Sequence, residues 1–360
     1  MKIALVLGTR PEIITMALLI RECEIQKLDF FIIHSNQHYS ENLDKIFFEE
    51  LNLTTPKYNL QVGSSNHGNQ TGKILIGMEE VFLKEKPTHV LTQGDTNTVL
   101  ACALAASKLD IKVGHVEAGL RSYNRKMPEE TNRIVTDHVS DFLFCPTNTQ
   151  KIILEKEGLD QDKIHIVGNT VVDAVLQNIK IAQKQSKILE ILNIQPKEFI
   201  LATAHRSLNV DNKESLQNLI NCLNNAANQL NLPLVYPIHP RTKKMLKNFN
   251  INPNINTKKI KLIEPLGYLD FLMLQKHAKI ILTDSGGIQE EACVLKTPCI
   301  TLREETERPE TVEVGANIIT GININKITKA ILAMLNKPPI WENPYGDGTT
   351  AKQIIEIIKK

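Results

Sequence analysis

Residues 2–25 read KIALVLGTRPEIITMALLIRECEI, and the break at Gly8 decides how the rest of the chain is read. The apolar run before it, Ile3 to Leu7, is only five residues long. A secretory core needs about 7–15 apolar residues and a membrane span about 18. The run is therefore read as a first β-strand. Gly8-Thr9-Arg10-Pro11-Glu12 follows directly. Thr9 and Glu12 stand at capping-box spacing, and Pro11 suits the first turn of a helix. The unit is strand, tight turn, helix.

The same unit recurs along the chain. Short apolar runs at 2–7, 29–34, 88–93, 111–116, 141–145 and 163–167 read as strands, as do 198–203, 233–237, 260–263, 278–283 and 298–302. Amphipathic stretches between them read as helices: 11–25, 39–51, 70–85, 97–108, 129–139 and 146–157, then 170–189, 212–230, 241–248, 268–276, 287–295 and 325–335. Strands separated by helices mean βαβ units and a parallel sheet. Two such series predict an α/β protein of two doubly wound domains. The length of 360 residues, at roughly 150 per domain, agrees. The boundary is expected near 169–175, where Gly168-Asn169-Thr170 ends a strand-like run. The domains are then 1–170 and 171–346, with a final helix over 349–359, after the turn at 343–348, inside a segment 347–360 that rejoins the first domain. The Asn- and Lys-rich stretch 247–261 reads as a solvated loop.

Composition narrows the classes. Hydrophobic residues make up 42% and charged residues 23%, the balance of a globular protein. Lys and Arg number 42 against 40 Asp and Glu, a net charge of +2 that gives no reason to expect nucleic acid or an anionic membrane as partner. The six cysteines form no C-x-x-C pair, which argues against structural zinc and for a reducing, cytoplasmic setting.

In open α/β sheets, sites lie beyond the carboxyl ends of the strands. Four strand-to-helix turns carry chemistry there. Arg10 sits beside a helix N-terminus, where an anion is favoured. Gln93-Gly94-Asp95-Thr96-Asn97-Thr98 places Asp95 either as a helix cap or as a free carboxylate. Gly114-His115-Val116-Glu117-Ala118-Gly119 sets Glu117 at the end of the next strand. Pro128-Glu129-Glu130-Thr131-Asn132-Arg133 opens a helix, where Glu129 or Glu130 serves the helix dipole and Glu129 with Arg133 forms an i,i+4 pair. Three acidic groups at neighbouring strand ends converge on one crevice, where carboxylates work as acid and base.

The second series repeats the logic with other groups. His205, after Thr203-Ala204, is placed to donate to a phosphate or to protonate a leaving group. His239, in Tyr236-Pro237-Ile238-His239-Pro240-Arg241, makes the same case more weakly against a structural role. Asp284-Ser285-Gly286-Gly287 runs into a helix, where glycines let the backbone approach a ligand and first-turn N–H groups bind anions. One turn on, Glu291 is placed to accept from a ribose diol. Arg308, in Thr306-Glu307-Arg308-Pro309-Glu310, is either a second phosphate cation or a surface salt bridge. The simplest geometry is two sheets facing a cleft, with a nucleotide diphosphate between them.

Together these motifs resemble the non-hydrolysing UDP-N-acetylglucosamine 2-epimerases. The resemblance runs through GTRPE (8–12), QGDTNT (93–98), GHVEAGLRS (114–122), PEETNR (128–133), VGNTVVDA (167–174), AHR (204–206), DSGGIQEE (284–291), TERPE (306–310) and NPYGDG (343–348). It implies the glycosyltransferase-B architecture of two Rossmann-like domains, the first on the sugar side and the second binding UDP. It implies a cytoplasmic homodimer that feeds surface polysaccharide synthesis. The implied reaction is epimerisation at C2 of a UDP-2-acetamido sugar by elimination and re-addition of UDP through a 2-acetamidoglucal. No cofactor, metal or nicotinamide is implied. The matching catalytic positions are Asp95, Glu117, Glu129 and His205. The matching UDP-contacting positions are Arg10, Ser285, Gly286, Gly287, Glu291 and Arg308. In some bacterial relatives a second substrate molecule activates the enzyme at an adjacent site, and the stretch Gln37-His38-Tyr39 together with His239 corresponds to that region.

The chain departs from the family pattern at Thr15, where a basic residue is usual. A cation missing beside the diphosphate weakens stabilisation of the leaving group, or accompanies a different sugar, deoxy or uronic, or is compensated by another Lys or Arg. A glycosyltransferase on the same architecture and an inactive UDP-sugar binder are the competing readings. A hydrolysing epimerase is a closer variant, with no kinase-like domain in this chain to support it.

Overall fold

The computed structural model describes residues 1–37, 48–49, 51–253 and 259–360. The chain divides into two compact units, Met1–Ala174 with Tyr345–Lys360, and Val175–Pro344.

The first unit is built on a seven-stranded parallel sheet. Its elements are β1 (Lys2–Leu7), α1 (Arg10–Ile25), β2 (Asp29–His34), β3 (Tyr58–Asn59), α2 (His67–Glu85), β4 (His89–Gln93), α3 (Asn97–Ser107), β5 (Lys112–Val116), α4 (Pro128–Val139), β6 (Phe142–Cys145), α5 (Asn148–Lys156) and β7 (Ile164–Ile166). The strand order is β3-β2-β1-β4-β5-β6-β7. β1 lies between β2 and β4, with Leu5 opposite Ile32 on one side and Leu91 on the other. Ile3 to Leu7 are wholly buried, as a central strand covered on both faces requires. The apolar run Ile3 to Leu7 is that strand, as read from the sequence.

α6 (Thr170–Gln185) leads into the second unit, which holds α7 (Ile188–Ile191), β8 (Ile200–Thr203), α8 (Ser207–Val210), α9 (Lys213–Leu230), β9 (Leu234–Pro237), α10 (Pro240–Asn248), β10 (Ile260–Ile263), α11 (Tyr268–His277), β11 (Ile280–Thr283), α12 (Gly286–Val294), β12 (Cys299–Thr301), α13 (Pro309–Glu313), β13 (Asn317–Ile319) and α14 (Ile324–Leu335). Its six parallel strands run β10-β9-β8-β11-β12-β13. The core packs the buried faces of α9 and α14 against the sheet, through Leu216, Leu219, Leu223, Ile327 and Ile331. Both sheets are doubly wound and Rossmann-like, the predicted class.

The last helix, α15 (Thr350–Ile358), returns to the first unit and packs on α1. Asp173 accepts from the N–H groups of Thr350 (3.3 Å) and Ala351 (3.1 Å), so it serves as the cap for α15. Gly168 has φ +86°, and a Cβ there would stand 2.7 Å from the Tyr345 carbonyl oxygen.

Three details differ from the sequence expectation. The helix predicted over 170–189 breaks after Gln185. Ser186 Oγ donates to Asp270 (2.5 Å) and accepts from the Ile188 N–H (3.3 Å), which starts the short α7. The strands β3 and β13 are two and three residues long, too short for any periodic signal. The helix expected over 39–51 falls largely outside the described residues, as do His38, Tyr39 and residues 254–258 of the expected loop. Among the described residues, no helix is long and apolar enough to cross a membrane. All six cysteines are free and buried.

Candidate active site

The strand order reverses between β1 and β4 in the first unit, and between β8 and β11 in the second. A crevice opens at such switch points because the flanking connections leave to opposite faces. The turns after these four strands are GTR, GDT, AHR and DSGG, the motifs the sequence singled out.

In the first unit, Glu12 ties two of the turns. It accepts from the N–H groups of Gly8 (2.5 Å) and Thr9 (3.1 Å), and Thr96 Oγ1 donates to it at 2.7 Å. The capping box predicted for Thr9 and Glu12 is formed. Burial pushes the Glu12 carboxyl up to about 7, against the hydrogen bonds that favour its anion. Arg10, half-buried, begins α1 directly beyond this turn.

Asp95 is not the helix cap. Thr96 is the N-cap of α3, its hydroxyl accepting from the Val99 N–H at 3.4 Å. The Asp95 carboxylate is thereby left for other work. It is one-third exposed and meets Arg133 Nη2 at 2.5 Å. The Glu117 carboxylate hangs over Gly94, 3.9 Å from where a Cβ of that glycine would be. Its backbone adopts φ +68°, which costs a non-glycine residue free energy and turns the side chain out of the strand direction. The Glu117 carboxylate thus lies over the turn that carries Asp95.

The expected pair of Glu129 with Arg133 is replaced by another. Arg133 Nη1 pairs with the buried Glu130 at 2.7 Å, and its other nitrogen goes to Asp95. Glu130 also accepts from the N–H groups of Ser122 (2.9 Å) and Tyr123 (2.8 Å). Burial works to raise its carboxyl, but these donors and Arg133 outweigh it and hold it below its ordinary value. Glu130 is therefore structural, and Glu129 stays half-exposed in the first turn of α4. Gln37 is committed elsewhere: its amide oxygen accepts from the N–H (3.1 Å) and hydroxyl (2.8 Å) of Thr98. Thr15 turns its hydroxyl back to the Pro11 carbonyl at 3.0 Å.

In the second unit the organising residue is Asp284, which is fully buried at the end of β11. It accepts from the N–H of His205 (3.0 Å) and Arg206 (2.9 Å) and from the Asn209 amide (3.0 Å). Its other oxygen lies 3.4 Å from His205 Nδ1. Burial pulls His205 below the usual histidine range despite that carboxylate. The ring is partly exposed and stacks on His239, centroids 5.1 Å apart. His239 is the N-cap of α10, its Nδ1 accepting from the Arg241 N–H at 3.2 Å.

Ser285 is the N-cap of α12 and places no side-chain oxygen on the first-turn N–H groups. A Cβ at Gly287 would meet nothing within 4 Å, and one at Gly286 only Glu307 at 3.8 Å. The fold's own packing does not require glycine at either position. Glu291, further along α12, is pushed up to about 6 by burial, while Gln275 donates to it at 2.5 Å. Arg308 is no surface salt bridge. Its guanidinium is largely buried and lies 2.6 Å from the buried Glu290.

Sequence reasoning passed over Glu12, Arg133, Asp284 and Glu290 as functional supports. Each is a charged residue directly after a strand or one turn into a helix. The signal was present in their position, but capping explained it equally well.

The chain is similar to known proteins over nearly its whole length. The family model for UDP-N-acetylglucosamine 2-epimerase matches residues 21–359. A UDP-N-acetylglucosamine 2-epimerase of Methanocaldococcus jannaschii is 57% identical over 361 residues, covering 99% of each chain. The crystal structure of the M. jannaschii UDP-GlcNAc 2-epimerase in complex with UDP-GlcNAc and UDP superposes with a TM-score of 0.93 at 57% identity, covering 100% of this chain and 99% of that one. A UDP-2,3-diacetamido-2,3-dideoxy-D-glucuronate 2-epimerase of Pseudomonas aeruginosa is 39% identical over 363 residues, covering 100% of both chains. With this match over nearly the whole chain, the chain belongs to the UDP-N-acetylglucosamine 2-epimerase family and is an epimerase.

Proposed function

We propose that the protein interconverts UDP-GlcNAc and UDP-ManNAc without hydrolysis, by eliminating UDP and adding it back. The carrying observation is that the Glu117 carboxylate hangs over Gly94, while Asp95, the next residue along, caps no helix. The C2 proton of the sugar has no adjacent carbonyl to acidify it, so direct deprotonation is slow. Removing it together with the C1–O bond solves this. A carboxylate takes the proton, the C2–H electron pair becomes the C1–C2 double bond, and the C1–O pair leaves with the diphosphate. Re-addition of UDP at C1, with a proton delivered to the other face of C2, gives the epimer. Proton delivery to two faces calls for more than one carboxylate, and Asp95, Glu117 and Glu129 supply them. Acid–base placement contributes about 10²–10⁴-fold, and stabilisation of the departing charge often more.

We assign the reacting sugar to the first unit and UDP to the second. The open first turn of α12 at Ser285, Gly286 and Gly287 suits a diphosphate. His205, Arg10 and Arg308 carry the developing charge, and Glu291 the ribose. The relative in complex with UDP-GlcNAc and UDP supports this substrate. The free, buried cysteines support a reducing compartment, and surface polysaccharide synthesis is the role we infer for the product.

Thr15 favours a second reading. With no cation at this position, and with a relative named for a diacetamido-glucuronate, a uronic UDP-sugar is the alternative substrate. Proton NMR in D₂O separates them. Loss of the C2 proton of UDP-GlcNAc with appearance of UDP-ManNAc is expected. Exchange only with the diacetamido-glucuronate would replace the first reading by the second.

A further inference from the structure

Asp137, near the end of α4, is fully buried and takes no part in the chemistry above. Three residues converge on it. His115 Nδ1 lies 2.6 Å from Oδ1, Arg121 Nη1 lies 2.7 Å from Oδ2, and the Gly119 N–H donates to Oδ2 at 3.2 Å. Burial would raise this carboxyl, but His115 and Arg121 outweigh it and hold it below the ordinary range.

The second nitrogen of His115 matters as much. Nε2 is 2.8 Å from the Gly94 carbonyl oxygen. A carbonyl only accepts, so Nε2 is the donor. Gly94 is therefore held through both its backbone polar groups, since its N–H donates to the Val116 carbonyl at 3.1 Å. Gly94 sits at φ +88° and Asp95 is the next residue. On the other side, the Gly119 bond fixes the turn that starts at Glu117, and the Ala118 N–H donates to Phe144 at 3.1 Å. Asp137 also ends the helix whose first turn carries Glu129.

We propose that Asp137 and His115 are positioning residues. Asp137 orients His115, His115 clamps the Gly94 carbonyl, and the two fix the Asp95 and Glu117 carboxylates relative to one another. The inference rests on the reading that those carboxylates act on the sugar.

Two amide variants separate positioning from mere packing. In His115→Gln the amide nitrogen reaches the place of Nε2 and keeps the donor to Gly94. In His115→Asn the amide nitrogen takes the place of Nδ1, keeps Asp137 and gives up Gly94. Misplacement of a catalytic group by about 1 Å costs on the order of 100-fold. We expect His115→Asn to lose about 10–100-fold in kcat with KM within about twofold, and His115→Gln to recover most of that loss at a similar Tm. Equal kcat in the two variants, or a loss carried by KM, overturns the proposal. Wild-type protein that exchanges no C2 proton on either UDP-sugar overturns the proposed function instead. Amide hydrogen exchange then decides the clamp by itself. It is expected to quicken over 94–96 and 117–119 in His115→Asn but not in His115→Gln, and equal exchange in both overturns it.

Discussion

Single residues carry the proposed chemistry, and the two carboxylates at the Gly94 turn are where it is tested. Asp95 follows Gly94 directly and the Glu117 carboxylate hangs over that glycine, and Thr96 rather than Asp95 caps the helix. Asp95→Asn and Glu117→Gln keep shape and remove charge. Turnover is expected to fall by about 10²–10⁴-fold, with UDP affinity by calorimetry unchanged. Normal turnover in either variant removes that residue from the mechanism. Glu12 gives a pH prediction. Its carboxyl rises from 4.5 unfolded to about 7 folded, through burial. A raised folded value means that stability is fully present below 4.5 and is lost as pH rises through about 7. The shift corresponds to something on the order of 3 kcal/mol. Wild-type Tm should therefore fall relative to that of Glu12→Gln between pH 5 and 8. Parallel Tm curves would show that Glu12 stays ionised throughout.

At the scale of elements, the informative one is α12. Glycine is a poor helix former, and Gly287 lies inside a helix with open space where a side chain would go. Alanine there should leave the fold intact or raise its stability by up to about 1 kcal/mol. If the diphosphate packs on this turn, the same methyl group collides with it. Gly287→Ala is expected to keep or raise Tm and to weaken UDP binding at least about tenfold, since even 1.4 kcal/mol of lost contact does so. Unchanged UDP affinity would move the nucleotide off this helix.

For the whole molecule, the return of the chain to its first unit depends on a few atoms. Gly168 holds a left-handed backbone under the Tyr345 carbonyl, and Asp173 caps α15. Gly168→Ala adds backbone strain of roughly 1–2 kcal/mol and a collision with backbone that has no flexible end to yield. Lower Tm and faster proteolytic release of the segment after residue 344 are expected. Wild-type protease resistance would show that α15 is held by its packing on α1 alone.

The sequence by itself determined the class of fold. Buried parallel strands are short apolar-rich runs, and helices on a sheet are amphipathic, so β1, β8 and β11 stand out without any neighbour being known. It also determined where to look, because Gly, Thr, Asp and Ser at strand ends mark the turns of the proposed site. What it left open was which carboxylate does what. Glu129 and Glu130 are equivalent by spacing, and Asp95 and Thr96 are both good caps. Those choices fell to tertiary structure. Thr96 took the cap and freed Asp95, while Arg133 took Glu130 and joined it to Asp95. Hydrogen-bond donors and charges pair with whatever the packed backbone brings within about 3 Å, and spacing along one chain does not specify partners contributed by another element.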